Sequence, residues 1–236
     1  MPAKEGIRKL FDSIAPDYDR LNHMLSLDID KSWRKKAIKE ALGSGQPLDI
    51  LDVACGTGDF AIGLAKAAPA GSRITGIDIS ENMLSIGREK VKSSGLDGCV
   101  QLAAGDCEDL PFADGTFDRT TAAFGVRNFE HLETGLREMY RVLKPSGEIV
   151  ILELSTPSGR IPAALYKLYF LNILPAIGGF VSGNRGAYRY LPESVLRFPR
   201  PEEFMKIMGK CGFTGIRHRS FTMGICRMYT GIRTTV

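Results

Sequence analysis

The chain has 236 residues, 44% of them hydrophobic and 25% charged, enough for one sizeable core and too balanced for a disordered, collagen-like or disulfide-stapled chain. Its net charge of +4 is small but uneven: residues 185–236 carry ten Lys/Arg against three Asp/Glu, which leaves residues 1–184 net negative by three. A basic terminal quarter either faces an anionic surface, nucleic acid or phospholipid headgroups, or is simply a solvated face. The five cysteines (Cys55, Cys99, Cys107, Cys211, Cys226) are scattered and form no Cys-x-x-Cys pair, and there are only three histidines. The expectation is therefore reduced thiols in a cytoplasmic protein with no metal site. The first residues have no apolar run of the signal-peptide kind.

In chain order, a first helical segment is expected up to about residue 14, then a turn-rich Ala15-Pro16-Asp17-Tyr18-Asp19, then a helix over 30–42 with Trp33, Ala37, Ile38 and Leu42 at helical spacing and Gly43 as its stop. Residues 43–47 read as a linker. From residue 48 short β-rich runs alternate with helical stretches: strands at 48–53, 73–77, 100–103, 117–123 and 148–154, helices at 59–68, 81–93 and 131–143. A helix near 201–210 and closing strands near 215–219 and 223–229 complete the series. Strands separated by helix-length segments predict a parallel sheet with helices on both faces. One run breaks the rhythm. Residues 161–181 are strongly apolar but contain Lys167, Asn172, Pro175 and Gly178-Gly179, so a helical insertion, an interfacial element or plain packing on the sheet edge fits better than a straight membrane span.

The strongest local signal is Ile50-Leu51-Asp52-Val53-Ala54-Cys55-Gly56-Thr57-Gly58-Asp59: a strand end, a glycine turn, a helix start. Such a turn lets backbone approach a ligand and presents free N–H groups. Asp52, at the strand end beneath this loop, suits a ligand carrying an amino group and a sulfonium better than an anionic pyrophosphate. Asp78, in Gly76-Ile77-Asp78-Ile79-Ser80 and 20 positions after Gly58, is placed to accept from ribose hydroxyls. Asp106, after the third strand, is placed to accept from an adenine amino group while apolar neighbours cover the ring. The fourth strand runs into Ala122-Ala123-Phe124-Gly125-Val126-Arg127-Asn128-Phe129 at the same sheet edge.

Together, Asp-x-Ala-Cys-Gly-Thr-Gly-Asp, Gly-Ile-Asp-Ile-Ser, Asp-Leu-Pro-Phe and Tyr-Arg-Val-Leu-Lys-Pro-x-Gly resemble the class I S-adenosylmethionine-dependent methyltransferases. The run from Phe11 to Asn22, Phe124-Gly125-Val126-Arg127-Asn128 and the helix leading into Lys144-Pro145 resemble the menaquinone/ubiquinone C-methyltransferase family. That resemblance implies a three-layer α/β Rossmann-like fold whose seven-stranded, mostly parallel sheet ends in an antiparallel strand. It implies an N-terminal helical lid over residues 1–45 and a methyltransferase domain over 46–236, with the apolar insertion at 158–190. By motif position it implies S-adenosylmethionine contacts at Thr57, Asp78, Asp106 and Cys107, to which the glycine loop adds Asp52, Gly56 and Gly58. Ala123 stands where some relatives on the ubiquinone side carry serine, which leans the reading towards the menaquinone branch. Ser146 and Asp28 also replace glycines usual in the family.

The expected reaction is C-methylation of a polyprenylated quinol, with a benzoquinol acceptor, another small molecule, or a non-catalytic cofactor-binding subunit as alternatives. Arg127 is the candidate for stabilising the developing phenolate, Asn128 for orienting it, and Tyr18 and Asp17 for closing over the site; His23 is a weaker candidate base. Peripheral membrane contact fits the apolar run and the basic tail, a homodimer is left open, and no nucleic-acid partner is expected.

Overall fold

A computed structural model of the protein describes residues 4–20, 26, 28–43, 45–157 and 185–235, with side chains of the last group from Tyr190 onward. The apolar run at 161–181, most of the 158–190 insertion and His23 lie outside the described residues.

Helix α1 (Lys4–Ile14) is followed by a single 3-10 turn (Ala15–Asp17) and, further on, by α2 (Ile29–Leu42). The sheet then alternates as expected: β1 (Asp49–Val53), α3 (Asp59–Ala67), β2 (Arg73–Asp78), α4 (Glu81–Ser93), β3 (Val100–Ala104), β4 (Phe117–Ala123), α5 (Leu132–Arg141) and β5 (Leu143–Leu154). Helices α6 (Arg185–Arg197) and α7 (Pro201–Lys210) precede β6 (Phe213–Phe221) and β7 (Cys226–Arg233). Local chemistry explains several boundaries. Ser80 caps α4 by accepting from Met83 N at 3.2 Å, and Pro201 starts α7 where its missing N–H costs nothing.

Strand order is β3-β2-β1-β4-β5-β7-β6, with β7 antiparallel to both of its neighbours. The inner strands β1, β4, β5 and β7 are largely buried on both faces, so adjacent residues there serve opposite cores, whereas the edge strands β3 and β6 leave much of one face exposed. Leu51, Ile149 and Ile151 pack with Leu136 and Met139 of α5 and Phe204 and Met208 of α7. Ile50, Val150 and Leu152 pack with Trp33 and Ala37 of α2, Phe60 and Leu64 of α3 and Leu84 of α4. Helices therefore cover both faces, as the alternating pattern required. The order reverses between β1 and β4, and a ligand crevice opens at such a switch point, beyond the carboxyl ends of the strands.

Two expectations are corrected. Strand β5 begins at Leu143 rather than at residue 148: Phe117 pairs with Leu143 but Arg119 with Glu148, so the Lys144-Pro145-Ser146-Gly147 turn is a register shift within one strand. The last strand starts at Cys226 because Thr222 and Met223 both adopt positive φ (47° and 54°) in a turn and cannot continue a ladder.

The two departures from family glycines fall where glycine is favoured: Asp28 has φ 59° and Ser146 φ 61°. Asp28 is held by an ion pair to Lys31 at 2.7 Å, and the Ser146 hydroxyl shares a hydrogen bond with Thr235 at 2.8 Å on the surface. A left-handed backbone costs an L-residue about 1–2 kcal/mol, part of which glycine returns as unfolded-state entropy. Ser146→Gly is expected to raise stability by about 0.5–1 kcal/mol, read as the denaturant midpoint at unchanged slope; a lower midpoint would show that the Thr235 bond outweighs the backbone strain.

Candidate active site

A cleft of about 870 Å³ opens over the carboxyl ends of β1, β2, β3 and β4. Its floor is made by loops that the sequence forces into unusual conformations. Gly56 lines the cleft with φ +55°, a left-handed conformation that favours glycine, and a Cβ built on it would meet nothing within 4 Å. Gly125 is needed for a different reason: a Cβ there would sit 2.7 Å from that of Ala54, so the loops after β1 and β4 close on each other only without one. Ala54 (φ 54°) and Phe124 (φ 63°) are themselves left-handed, and for a residue as bulky as phenylalanine this is backbone strain.

Of the candidate residues, Tyr18, Gly56, Thr57, Asp78, Asp106, Cys107, Ala123 and Asn128 line this cleft. Asp78 Oδ2 accepts from Gly56 N at 2.7 Å and Oδ1 from Ser80 N at 2.9 Å. Burial pushes its pKa up, while the amides of Ser80, Gly56 and Ile79 pull it down. Asp106 accepts from Glu108 N at 2.9 Å and from the Lys4 ammonium of α1. Burial beside Asp106 and Glu108 pushes the Cys107 thiol up, so it stays a thiol and not a nucleophilic thiolate.

Asp52, Gly58 and Arg127 stand behind the wall. Gly58 has φ +76° and immediately precedes α3. Asp52 Oδ1 accepts from Thr121 Oγ1 at 2.9 Å, but Oδ2 is buried with no hydrogen-bond partner among the described residues; the Ala61 N–H approaches the carboxylate without full hydrogen-bond geometry. Burial pushes its pKa up to about 7, against the pull of the Thr121 bond and the Arg34 charge. The folded carboxyl thus holds a proton up to about pH 7, whereas the unfolded one releases it near 4. Stability falls as pH rises through that window and levels above it, by about 4 kcal/mol at the upper bound. Asp52→Asn abolishes this slope. It is expected to melt higher than the parent at pH 8, with the gap narrowing towards pH 5; an equal gap at both pH values would contradict the assignment.

Arg127 is 6% exposed and does not reach the cleft. Its Nη1 donates to Glu153 Oε1 at 2.7 Å and to the Phe124 carbonyl, its Nε to Ser194 Oγ at 3.3 Å, and its backbone N to Glu153 Oε2 at 3.1 Å. Its guanidinium is thus committed to holding the strained Phe124 turn. Asn128, next in sequence, does face the cleft, and its Oδ1 accepts from Tyr190 of α6 at 2.8 Å.

The N-terminal helices are fastened over the same loops. Thr57 Oγ1 donates to Asp19 at 2.6 Å, Ser80 Oγ to Asp12 at 2.6 Å, and Lys4 pairs with Asp106 and, at 3.6 Å, with Glu108. Lys4 and Arg34 were missed by sequence reasoning. Arg34 lines the cleft with its guanidinium 5.1 Å from the Phe124 ring and 3.4 Å from Asp30. Nothing in the local sequence sets these two apart from other surface cations.

Asp78, Asp106 and the glycine loop present acceptors and free backbone around an open cleft, which suits a nucleoside with a free ribose diol and an exocyclic amine. The orphaned Asp52 oxygen favours a cationic group nearby.

Comparison with known proteins agrees. Residues 2–233 match the model of the ubiE/COQ5 methyltransferase family. A relative from Geotalea daltonii, named ubiquinone/menaquinone biosynthesis C-methyltransferase UbiE, is 48% identical over 227 residues, 96% of each chain. One from Bacteroides fragilis, named demethylmenaquinone methyltransferase, is 47% identical over 97% of this chain and 93% of its own. Among solved structures, the [4+2]-cyclase SpnF superposes with a TM-score of 0.75 at 17% identity over 100% of this chain and 98% of that one. That likeness speaks to the fold alone.

Proposed function

The chain belongs to the ubiE/COQ5 methyltransferase family, and from that premise we propose that it carries out S-adenosylmethionine-dependent C-methylation of a polyprenylated quinol, demethylmenaquinol to menaquinol. The observation that carries this reading is the full-length similarity to relatives so named, together with a cleft that has Asp78 and Asp106 at successive strand ends. Benzoquinol is the second acceptor, because the Geotalea daltonii relative bears both quinones in its name.

The cofactor supplies an electrophilic methyl group. The chain's own residues do the rest. Asp78 takes the ribose hydroxyls, Asp106 with Cys107 takes the adenine edge, and Thr57 and the Gly56 backbone border the amino-acid end. Arg34 offers its charge to the carboxylate there, and Asp52, once ionised above about pH 7, offers the opposite charge through the loop. Residues 1–45 act as the lid, through Tyr18 and the contacts of Lys4, Asp12 and Asp19, and exclude water from the reacting atoms. Residues 46–236 supply the catalytic domain.

On the acceptor, the ring carbon beside a hydroxyl becomes nucleophilic once that hydroxyl loses its proton. A free phenol does so only near pH 10, so the site must favour the anion. Asn128 and Tyr18, both on the cleft wall, are the groups that do so directly; Arg127 acts from behind by fixing the turn that carries Asn128. An oxidised quinone lacks this electron-rich carbon.

No helix among the described residues is long and apolar enough to cross a membrane. We assign the basic C-terminal quarter to anionic lipid headgroups and the apolar run at 161–181 to the isoprenoid tail. Co-sedimentation with anionic but not neutral vesicles is the check.

The functional test is methyl transfer from labelled S-adenosylmethionine to chemically reduced short-tail demethylmenaquinol, with the matching benzoquinol and the oxidised quinone alongside. Label is expected on the naphthoquinol and none on the oxidised quinone. No label on any acceptor, with cofactor binding intact, would overturn the quinol reading.

A further inference from the structure

Asn128 lines the cleft, and its side-chain amide has two ends of opposite character. Whether it donates or accepts there depends on what holds its other end. Tyr190, 62 residues on, has its hydroxyl 2.8 Å from Asn128 Oδ1. Among the described residues, Asn128 Nδ2 has no partner of its own.

We infer that Tyr190 is the positioning residue of this site: its hydroxyl donates to Asn128 Oδ1 and thereby turns Nδ2 into the cleft, as a donor to the ring oxygen of the quinol. The inference rests on the acceptor class proposed above and adds the element that sets the polarity of the site.

Three features support it. The Tyr190 hydroxyl is a dependable donor, because burial pushes its pKa up although the charges of Arg127 and Arg197 pull the other way. The ring is held in place by the Arg197 guanidinium, 5.7 Å from its centroid. The same helix fixes the neighbouring residue too: one turn beyond Tyr190, Ser194 is 2% exposed and accepts from Arg127 Nε at 3.3 Å. Helix α6 thus grips the Val126–Asn128 turn at two adjacent residues, and Asn128 N is tied back to the Gly125 carbonyl at 3.0 Å. A developing phenolate needs donors, and a donor oriented before the reaction is stabilising without reorganisation. Reversed, the same amide would offer its carbonyl oxygen to the anion and repel it.

The test is Tyr190→Phe, which keeps the ring and its contact with Arg197. Without the hydroxyl the amide is free to turn. kcat for the quinol is expected to fall about tenfold, the size of one neutral hydrogen bond, with cofactor Kd within twofold of the parent. The Asn128 side-chain amide resonances, assigned by their loss in Asn128→Ala, should shift. In the Asn128→Ala background Tyr190→Phe should have no further effect on kcat, since there is then no amide to orient. An undiminished additional loss in the double variant, or amide resonances that stay in place, would overturn the inference. If the parent enzyme methylates none of the quinols, the functional reading fails instead, and the resonances alone decide the orientation.

Discussion

Arg127→Ala is expected to cost the fold about 3–5 kcal/mol, the largest stability loss of any single change in the site. Glu153 is fully buried, and its carboxylate accepts from the Arg127 guanidinium, from Arg127 N and from Leu154 N. Removing the guanidinium leaves a buried acid in β5 with two backbone donors and no cation, and it frees the Phe124 carbonyl in a turn whose φ of 63° already carries strain. The loss should appear as a lower urea midpoint at an unchanged slope, together with a fall in methyl transfer. Arg127→Lys keeps the charge but not the fork that reaches Glu153, Ser194 and Phe124 at once, so it should lie in between. The informative variant removes both charges. In Arg127→Met with Glu153→Leu no buried ion is left unpaired, so stability should return most of the way while activity does not. If Arg127→Ala instead folds like the parent and loses only turnover, the guanidinium reaches the acceptor directly and the positioning role is wrong.

This outcome shows how far the sequence carries. The alternation of strands and helices was legible because the inner strands are short apolar runs and the helices between them are apolar on one face, and such patterns are local. The glycine loop, Asp78 and Asp106 were legible for a related reason: they sit at strand ends, where the chain order itself places them on one edge. What Arg127 does was not legible, because its partner Glu153 is 26 residues away and Ser194 is 67. A signal did exist. Glu153 interrupts Ile151-Leu152-Glu153-Leu154, and an acid at the end of a run of buried residues demands a cation. The Lys4–Asp106 pair, 102 residues apart, and the Tyr190–Asn128 bond left no comparable trace, since a lysine near the start of a helix and a helical tyrosine are unremarkable in sequence. Ser146 and Asp28 lie between these cases: the sequence resemblance implies glycines there, but only the backbone shows that both positions are left-handed.

The largest effect on the cofactor is expected at Asp78. In Asp78→Ala the affinity for S-adenosylmethionine should fall by about 10²–10⁴-fold in a calorimetric titration at pH 7.5, because the proposed ribose contact would lose two charge-assisted hydrogen bonds, about 1.5–3 kcal/mol each, together. The fold should tolerate this change better than it tolerates Arg127→Ala. A carboxylate whose pKa is raised by burial is itself a cost to folding near neutral pH, and its removal offsets the loss of the Gly56 and Ser80 amide bonds. Asp78→Asn retains the volume but must turn its amide NH2 towards either the Gly56 N–H or the Ser80 N–H, two donors that Asp78 now accepts from, so it should lose less affinity than alanine and more than tenfold. The pH dependence follows from the same shift. The folded carboxyl takes up its proton at a higher pH than a free aspartate does, so affinity should weaken as the solution becomes mildly acidic, and that dependence should be absent in Asp78→Asn. Binding of Asp78→Ala within about threefold of the parent would mean that the ribose is held elsewhere in the cleft, and the order of cofactor contacts along the strand ends would have to be redrawn.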